Sequence, residues 1–169
     1  MDAMTWQDLQ EIQDLKAQYF YWMDNKRWDA LRRVFTDDAR FEGFPFEMDG
    51  PDDWVEGLSS FFTGVTSQHR GTNPRFQQVA AGQVRGVWSM TDHLTWEPGT
   101  KVYRGIEIPG MYGLYGYGYY EEEYRRTEAG WRIAFMRLTR VRIDPLVDRK
   151  GPAPEYDVPR PTLDWIGGV

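Results

Sequence analysis

Apolar residues recur every three or four positions through the first third of the chain, which is the spacing of amphipathic helices. The segment at residues 5–24, "TWQDLQEIQDLKAQYFYWMD", has this pattern, with Thr5 placed to cap the helix ahead of Asp8. A second helix is predicted around "WDALRRVF". A third is predicted at "PDDWVEGLSSFF", where Pro51 suits the first helical position. We therefore expect the first third of the chain to be mainly helical.

From residue 64 onward apolar and polar residues alternate instead, which indicates β-strands. The predicted strands lie at 64–70, 74–80, 84–97, 112–126 and 130–143. The last of them is at least half apolar on both faces and is expected to lie centrally. In the strand at 84–97 one face is more apolar than the other and is expected to point to the core. This face consists of Trp88, Met90, Asp92, Leu94 and Trp96. Helices followed by a curled antiparallel sheet predict an α+β fold shaped as a cone with an apolar cavity.

The length of 169 residues fits one domain, which we place at residues 1–144. Residues 145–169 form a tail that holds five of the ten prolines and is expected to be extended. The net charge of −6 comes without a block of Lys and Arg, so a nucleic-acid partner is not expected. No apolar run reaches the length of a membrane span and the first residues lack a basic leader, so a cytoplasmic protein away from the membrane is expected.

The absence of cysteine excludes disulfides, thiolate nucleophiles and cysteine-bound metals. Only two histidines are present, so neither a metal site nor a cofactor is predicted. Chemistry must then come from carboxyl groups, histidine and aromatic side chains. Aromatic residues make up 16% of the chain, which favours a pocket for a small apolar or aromatic molecule, or an aromatic interface in a homo-oligomer. We expect a trimer or dimer.

Several segments together resemble a known superfamily. A first helix ending "YFYWMDNKRWDAL", the "FTDDARF" step into the first strand, and the hairpin "GYGYYEEEYRRTEAGWRI" ending in "RLTR" resemble the SnoaL-like, nuclear transport factor 2-like superfamily of cone-shaped α+β domains, also described as a cystatin-like roll. The resemblance covers about residues 6–143. Within it, "HRGTN" and "MDNK" resemble the branch with scytalone dehydratase, bile acid 7α-dehydratase and hexachlorocyclohexane dehydrochlorinase.

That branch pairs an Asp near the end of the first helix with a His on the early sheet, and the matching positions here are Asp24 and His69. Imidazole, with an ordinary pKa near 6.5, is well suited to remove a carbon-bound proton at neutral pH. A carboxylate on its other nitrogen fixes the tautomer. Asp24 also needs a partner because a helix C-terminus disfavours negative charge. We predict His69 as base and Asp24 as its orienting partner; the simpler alternative is a turn histidine and a turn aspartate.

Tyr19 is a third catalytic candidate, because the bile acid dehydratase branch resembles this chain in having a Tyr five residues before the Asp. Tyr21 lies about 60° from Asp24 around the helix, against about 140° for Tyr19. Either hydroxyl could donate to an oxygen that gains charge in the transition state, and a core tyrosine is the alternative interpretation. His93 falls on the polar face of its strand and is expected to be structural or exposed.

Asp92 stands on an apolar strand face, where a carboxyl group needs a partner or a proton. It is either an acid, as in the ketosteroid isomerase branch, or paired with an arginine such as Arg137. Some dehydrochlorinase-like proteins carry an arginine on the last strand, but the position nearest by parity here is Met136. The predicted substrate-binding residues are Trp88, Met90, Asp92, Tyr117 and Arg137.

The segment "MYGLYGYGYYEEEYRR" has glycine on one face of a strand and tyrosine on the other. Gly116 and Gly118 are typical of a bend or a close approach by a ligand or another element. The tyrosines favour sheet curvature and interface packing, with one or two, such as Tyr117, available to the pocket. The run "EEEYRR" is interpreted as a solvated strand end, because adjacent carboxylates point to opposite faces.

The leading functional hypothesis is a cofactor-independent lyase acting on a small apolar or aromatic molecule. Dehydratase is the first choice, followed by dehydrochlorinase and by a carbon–carbon lyase on a lignin-type aromatic. One rival is an isomerase of the ketosteroid type that uses Asp24 and Asp92. The non-enzymatic rival is a ligand-binding or oligomerisation module, because a fold does not set function.

Overall fold

The computed structural model describes residues 3–166, which contain three helices and five strands. The helices are α1 (Trp6–Asp24), α2 (Trp28–Arg32) and α3 (Pro51–Phe61). The strands are β1 (Phe35–Glu42), β2 (Thr66–Ala80), β3 (Gln83–Thr95), β4 (Gly113–Thr127) and β5 (Gly130–Leu146). The predicted α+β fold is confirmed: the three helices lie in the first part of the chain, and all strands of the curved sheet except β1 follow them.

The strands form one sheet in the order β1-β5-β4-β3-β2. The pairs among β2, β3, β4 and β5 are antiparallel, as predicted, and β5 has a neighbour on each side. The prediction of a wholly antiparallel sheet is wrong at β1, which pairs with β5 in parallel. The chain leaves β1 through α3 and enters the sheet again at its other edge, so β1 meets the last strand and not the next one.

Helix α1 begins at a capping box in which the Thr5 side chain accepts a hydrogen bond from the backbone of Asp8 and the Asp8 side chain accepts one from the backbone of Thr5. Its apolar face is buried against the sheet. The helix ends at Asp24, and the residue two positions later, Lys26, has a left-handed φ of 58°. This turn brings the end of α1 beside β2.

The two short strands predicted at 64–70 and 74–80 are a single edge strand, β2. Its pairing with β3 is interrupted by a register shift between Thr72 and Arg75, where Asn73 has a φ of 49°. Proline and a bulge are tolerated on an edge strand, because one side of it has no ladder to satisfy. Pro74 therefore distorts the strand without ending it.

The last strand ends at Leu146, and residues 147–166 contain no helix or strand. Most of this segment is exposed, although Leu163 packs against the core and the carbonyl of Thr162 lies 3.5 Å from the Tyr21 hydroxyl. Within residues 3–166, no helix has the length and apolar character needed to cross a membrane.

Candidate functional site

A cavity of about 160 Å³ opens between α1, the end of α3 and the inner face of the sheet. Two loops, at residues 43–46 and 101–104, form part of its lining. Much of the lining is apolar. Its polar side chains are Tyr19, His69, Asp92, Tyr120 and Arg140 on the helix and the sheet, and Lys101, Tyr103 and Arg104 on a loop. Such a combination of an apolar wall and a few polar groups is typical of a site for a small molecule.

His69 and Asp24 are in direct contact at one wall of this cavity. The His69 Nδ1 lies 2.6 Å from Asp24 Oδ1, and the backbone N–H of His69 donates to Asp24 Oδ2 over 2.8 Å. The His69 side chain is 6% exposed. Because a carboxylate can only accept, Nδ1 is the donor in this contact, and in the neutral imidazole the free lone pair is then on Nε2. The structure thus brings together the two residues that the sequence paired, with the imidazole in the tautomer of a base.

The contact is built by local structure on both sides. Asp24 is the last residue of α1, and His69 is on β2, which packs against α1. Ser67, two residues earlier on the same face of β2, donates from its hydroxyl to Asp24 Oδ1 over 2.9 Å. Lys26 then donates to the Ser67 hydroxyl over 2.6 Å. Burial lowers the pKa of Lys26 to about 8, with the nearby Asp24 charge opposing that change.

A second polar pair, Asp92 and Arg140, joins β3 to β5. His69 and Asp92 are direct partners in the β2–β3 ladder. The Asp92 side chain is 2% exposed, and both of its oxygens accept from the Arg140 guanidinium, over 2.6 and 2.7 Å. This bidentate geometry neutralises a carboxylate that the apolar surroundings would otherwise penalise.

The alternative that pairs Asp92 with Arg137 is therefore wrong, since Arg140 is the partner. Arg137 faces the outside of the sheet, where it donates to Glu121 over 2.6 Å and to Glu42 over 3.3 Å. A signal for Arg140 was present in the sequence. Strand alternation places it on the same face as the buried Met136, four residues earlier.

The structure separates the two tyrosine candidates. Tyr19 is fully buried and lines the cavity, with its hydroxyl 3.4 Å from that of Tyr120, which sequence reasoning missed. Burial raises the pKa of both tyrosines, so each remains a neutral hydroxyl that can donate. Tyr21 is exposed on another side of α1.

Four of the five residues predicted to bind substrate are not among the cavity-lining residues: Trp88, Met90, Tyr117 and Arg137. Trp88 and Met90 do face inward and are buried, but the cavity reaches β3 only near its end, at Asp92 and Leu94. Tyr117 lies on the opposite face of the sheet and is 38% exposed. His93 is exposed as predicted, because strand alternation turns it outward.

Beside the cavity-lining rings of Tyr19 and Tyr120, a buried ion pair joins α1 to β4. The Lys16 ammonium donates to the Glu122 carboxylate, and both side chains are fully buried. The Tyr124 hydroxyl also donates to Glu122. The Lys16 nitrogen lies 4.0 Å from the ring centre of Tyr19 and 3.8 Å from that of Tyr120. The interpretation of "EEEYRR" as a solvated strand end is therefore wrong at its second glutamate, which α1 covers.

Gly116 makes the Asp92–Arg140 contact possible. Arg140 on β5 reaches Asp92 on β3 across the intervening strand β4, where Gly116 is placed. A Cβ atom on Gly116 would lie 2.6 Å from Arg140 Nη1 and 2.7 Å from Asp92 Oδ1. The absent side chain is therefore the space through which the guanidinium passes.

Gly116→Ala is expected to separate this ion pair and to lower the free energy of unfolding by about 1–3 kcal/mol, because a methyl group must displace two charged atoms. Urea denaturation measures the change. The matched control places the same alanine in an Asp92→Ala/Arg140→Ala background, where we expect it to cost little. Equal costs in both backgrounds would show that the ion pair is not what Gly116 accommodates.

Within residues 3–166, no group of three or more His, Asp or Glu side chains has an arrangement that would hold a metal ion. The site has a hydrogen-bonded His69–Asp24 pair, an ion pair between Arg140 and Asp92, and the neutral hydroxyls of Tyr19 and Tyr120. Such a set can accept a proton at one point and stabilise developing negative charge at another.

Comparison with known proteins identifies relatives of this fold. A model of the SnoaL-like domain matches residues 4–137. A probable cyclase of Gibberella zeae is 25% identical over 142 residues, which cover 77% of this chain and 89% of that protein.

Two solved structures share the fold at low identity. A type 2 hexachlorocyclohexane dehydrochlorinase superposes with a TM-score of 0.68 at 20% identity, over 85% of this chain and 92% of the other. A protein predicted to be a scytalone dehydratase, from Novosphingobium aromaticivorans, superposes with a TM-score of 0.69 at 18% identity, over 84% and 89% of the two chains.

Proposed function

Because this chain belongs to the SnoaL-like domain family and has a hydrogen-bonded histidine–aspartate pair at an apolar cavity, we propose that it is a cofactor-free lyase of the dehydratase type. The observation that carries the proposal is the 2.6 Å contact between His69 Nδ1 and Asp24 Oδ1. It leaves the other imidazole nitrogen as a base on a ring that lines the cavity. The substrate is a small apolar or aromatic molecule.

In the proposed reaction His69 Nε2 takes a proton from a carbon atom of the substrate. The electrons of that C–H bond form a C=C bond, and the adjacent C–O bond breaks. Asp24 stabilises the imidazolium that forms and keeps the ring in place without itself taking the proton. The leaving hydroxide takes up a proton and departs as water. The imidazolium can supply that proton, which restores the neutral base.

Arg140 and the two hydroxyls of Tyr19 and Tyr120 are proposed to stabilise the opposite end of the substrate. All three groups line the cavity, and burial keeps both tyrosines protonated. Donors that are already oriented act most strongly where negative charge develops in a site protected from water. Asp92 holds the guanidinium in a fixed orientation through two hydrogen bonds.

The proposed substrate class follows from the cavity itself. A volume of about 160 Å³ fits a compact molecule, and aromatic side chains form a large part of the wall: Phe44, Phe46, Phe61, Phe62 and Trp96. The names of the two structural neighbours describe eliminations, of water in one and of hydrogen chloride in the other. A hydroxyl group is our first choice of leaving group, and chloride the second.

The geometry favours elimination over the isomerase alternative. An isomerase of the ketosteroid type would use Asp92 as a second acid or base. Both oxygens of Asp92 are occupied by Arg140, and the carboxyl group is almost completely buried. We therefore assign Asp92 the role of orienting Arg140.

The proposal is tested with a panel of small aryl-substituted alcohols and chlorides that have an acidic C–H next to the carbon bearing the leaving group. We expect at least one to lose water or chloride, and to react more slowly when that C–H is deuterated, because its cleavage belongs to the proposed chemical step. A product isomeric with its substrate would support the isomerase instead. Binding of panel members without any turnover would support a ligand-binding module and contradict the proposal.

A further inference from the structure

Lys26 forms the turn after α1, and its side chain reaches from there to the Ser67 hydroxyl and, at 3.5 Å, to the Met23 carbonyl. It follows α1 by two residues in a left-handed backbone conformation, which is uncommon for a residue other than glycine. Its ammonium group donates to Ser67 Oγ over 2.6 Å and lies 4.4 Å from the centre of the Phe62 ring. The charge is thus held at the end of α1, beside Asp24.

The ammonium group decides how the Ser67 hydroxyl is oriented. A serine hydroxyl can donate or accept, whereas an ammonium group can only donate. Ser67 Oγ therefore accepts from Lys26, and its own proton is directed to Asp24 Oδ1 at 2.9 Å. With the two contacts from His69, the Asp24 carboxylate then accepts three hydrogen bonds. Two of these three hydrogen bonds come from His69, one from its backbone and one from its imidazole.

We propose that Lys26 is a positioning residue for the His69–Asp24 base, acting through Ser67, and that its positive charge moderates how strongly His69 holds a proton. The catalytic meaning of this role rests on the proposed lyase function. The electrostatic effect exists with or without a substrate, so it can be tested separately.

The direction of the effect follows from the charges around Lys26. The groups facing it are Asp24 from α1 and, through Ser67, His69 from β2, while the end of α3 presents the uncharged Phe62 ring. A positive charge at this place disfavours a second one on the imidazole. Burial lowers the pKa of Lys26 to about 8. Near that pH the ammonium charge is lost, and with it the repulsion between that charge and a protonated imidazole.

Nuclear magnetic resonance of the imidazole protons tests this directly, because the chain has only two histidines and the exposed His93 serves as an internal reference. In the unaltered protein we expect the His69 signal to show a second step near pH 8, caused by Lys26. Lys26→Gln keeps a donor but removes the charge. We expect it to raise the midpoint of the His69 titration by about 0.5–1 pH unit and to abolish the second step.

Three further variants complete the test. Lys26→Arg keeps the charge and should leave the midpoint unchanged. Ser67→Ala removes a donor from the Asp24 carboxylate, which should strengthen its pull on the imidazolium and raise the midpoint, and it provides the test if Lys26→Gln does not fold. Lys150→Gln, an exposed lysine in the tail, should change nothing.

A His69 midpoint in Lys26→Gln equal to that of the unaltered protein, or an equal change in Lys150→Gln, would overturn the proposal. Such a result would not contradict the proposed lyase function, provided that a panel substrate reacts and does so more slowly when its C–H is deuterated. Conversely, the expected midpoints together with no turnover would uphold the role of Lys26 and contradict the lyase. The two proposals therefore fail separately.

Discussion

His69→Gln is expected to reduce kcat by about 10²–10⁴-fold, the usual contribution of a general base. Glutamine can still donate an N–H to Asp24, so the contact that ends α1 beside β2 is retained. It has no nitrogen that can accept a proton at neutral pH. The free energy of unfolding should therefore change by no more than about 1 kcal/mol. Turnover of the best substrate from the panel and urea denaturation measure the two effects.

His93→Gln is the matched control, because His93 is exposed on the other face of the sheet and should keep full activity. Asp24→Asn should lose activity on a similar scale, and the double variant His69→Gln/Asp24→Asn should be hardly worse than His69→Gln, since the two residues act as a unit. Turnover that survives in His69→Gln would exclude histidine as the base. Multiplied losses in the double variant would show that the residues act independently.

Lys16→Met is expected to have the largest effect on stability, lowering the free energy of unfolding by about 3–5 kcal/mol. The substitution leaves Glu122 charged in a fully buried place where Lys16 supplied its counter-charge. Lys16→Met/Glu122→Gln removes both charges and should recover most of the loss, because the Tyr124 hydroxyl can still donate to the amide oxygen. Urea denaturation of the two variants gives the comparison.

An exposed ion pair provides the control for Lys16. Arg85 and Glu123 are 2.7 Å apart on the outer face, with side chains 64% and 37% exposed. Arg85→Met should change stability by less than about 1 kcal/mol. A similarly small effect of Lys16→Met would mean that water reaches Glu122 once the lysine is gone.

The same lysine predicts a pH dependence. Burial lowers the pKa of Lys16 from 10.5 to about 8, and Glu122 opposes this change. Between these two pH values the unfolded chain holds a proton that the folded chain has released. The stability that depends on Lys16 therefore rises with pH across this window and is lost as the pH falls through 8. We therefore expect the free energy of unfolding of the unaltered protein, relative to that of Lys16→Met, to be larger at pH 10 than at pH 8. Urea denaturation at the two pH values measures it.

The features that could be predicted from the sequence are those encoded by local spacing. The periodicity of α1 and its cap at Thr5 depend on about twenty consecutive residues, and the alternation along β3 is equally local. The contact between Asp24 and His69 spans forty-five positions but was still accessible. A carboxylate at a helix end requires a partner, and the family resemblance indicated which one.

What could not be predicted depends on neighbours far apart in the chain. Lys16 and Glu122 are separated by 106 positions, and each looks like a surface residue among its own neighbours. The parallel pairing of β1 depends on the finished sheet, because β1 binds to the free side of β5, the last strand in the chain. Arg140 is a different case, because alternation did place it on the inner face. The contact of Arg140 with Asp92 could not be predicted, because it depends on the register of β4, which places Gly116 between the two side chains.

The direct pairing of His69 with Asp92 across two strands has a consequence for how this protein can change over evolutionary time. The separation between the base and the arginine-held carboxylate is set by backbone ladders, which a substitution in a loop does not alter. Part of the cavity lining, by contrast, comes from the loops at residues 43–46 and 101–104. New substrates can therefore be tried by exchanging loop residues while the reactive groups stay in place, and directed evolution would do best to begin there.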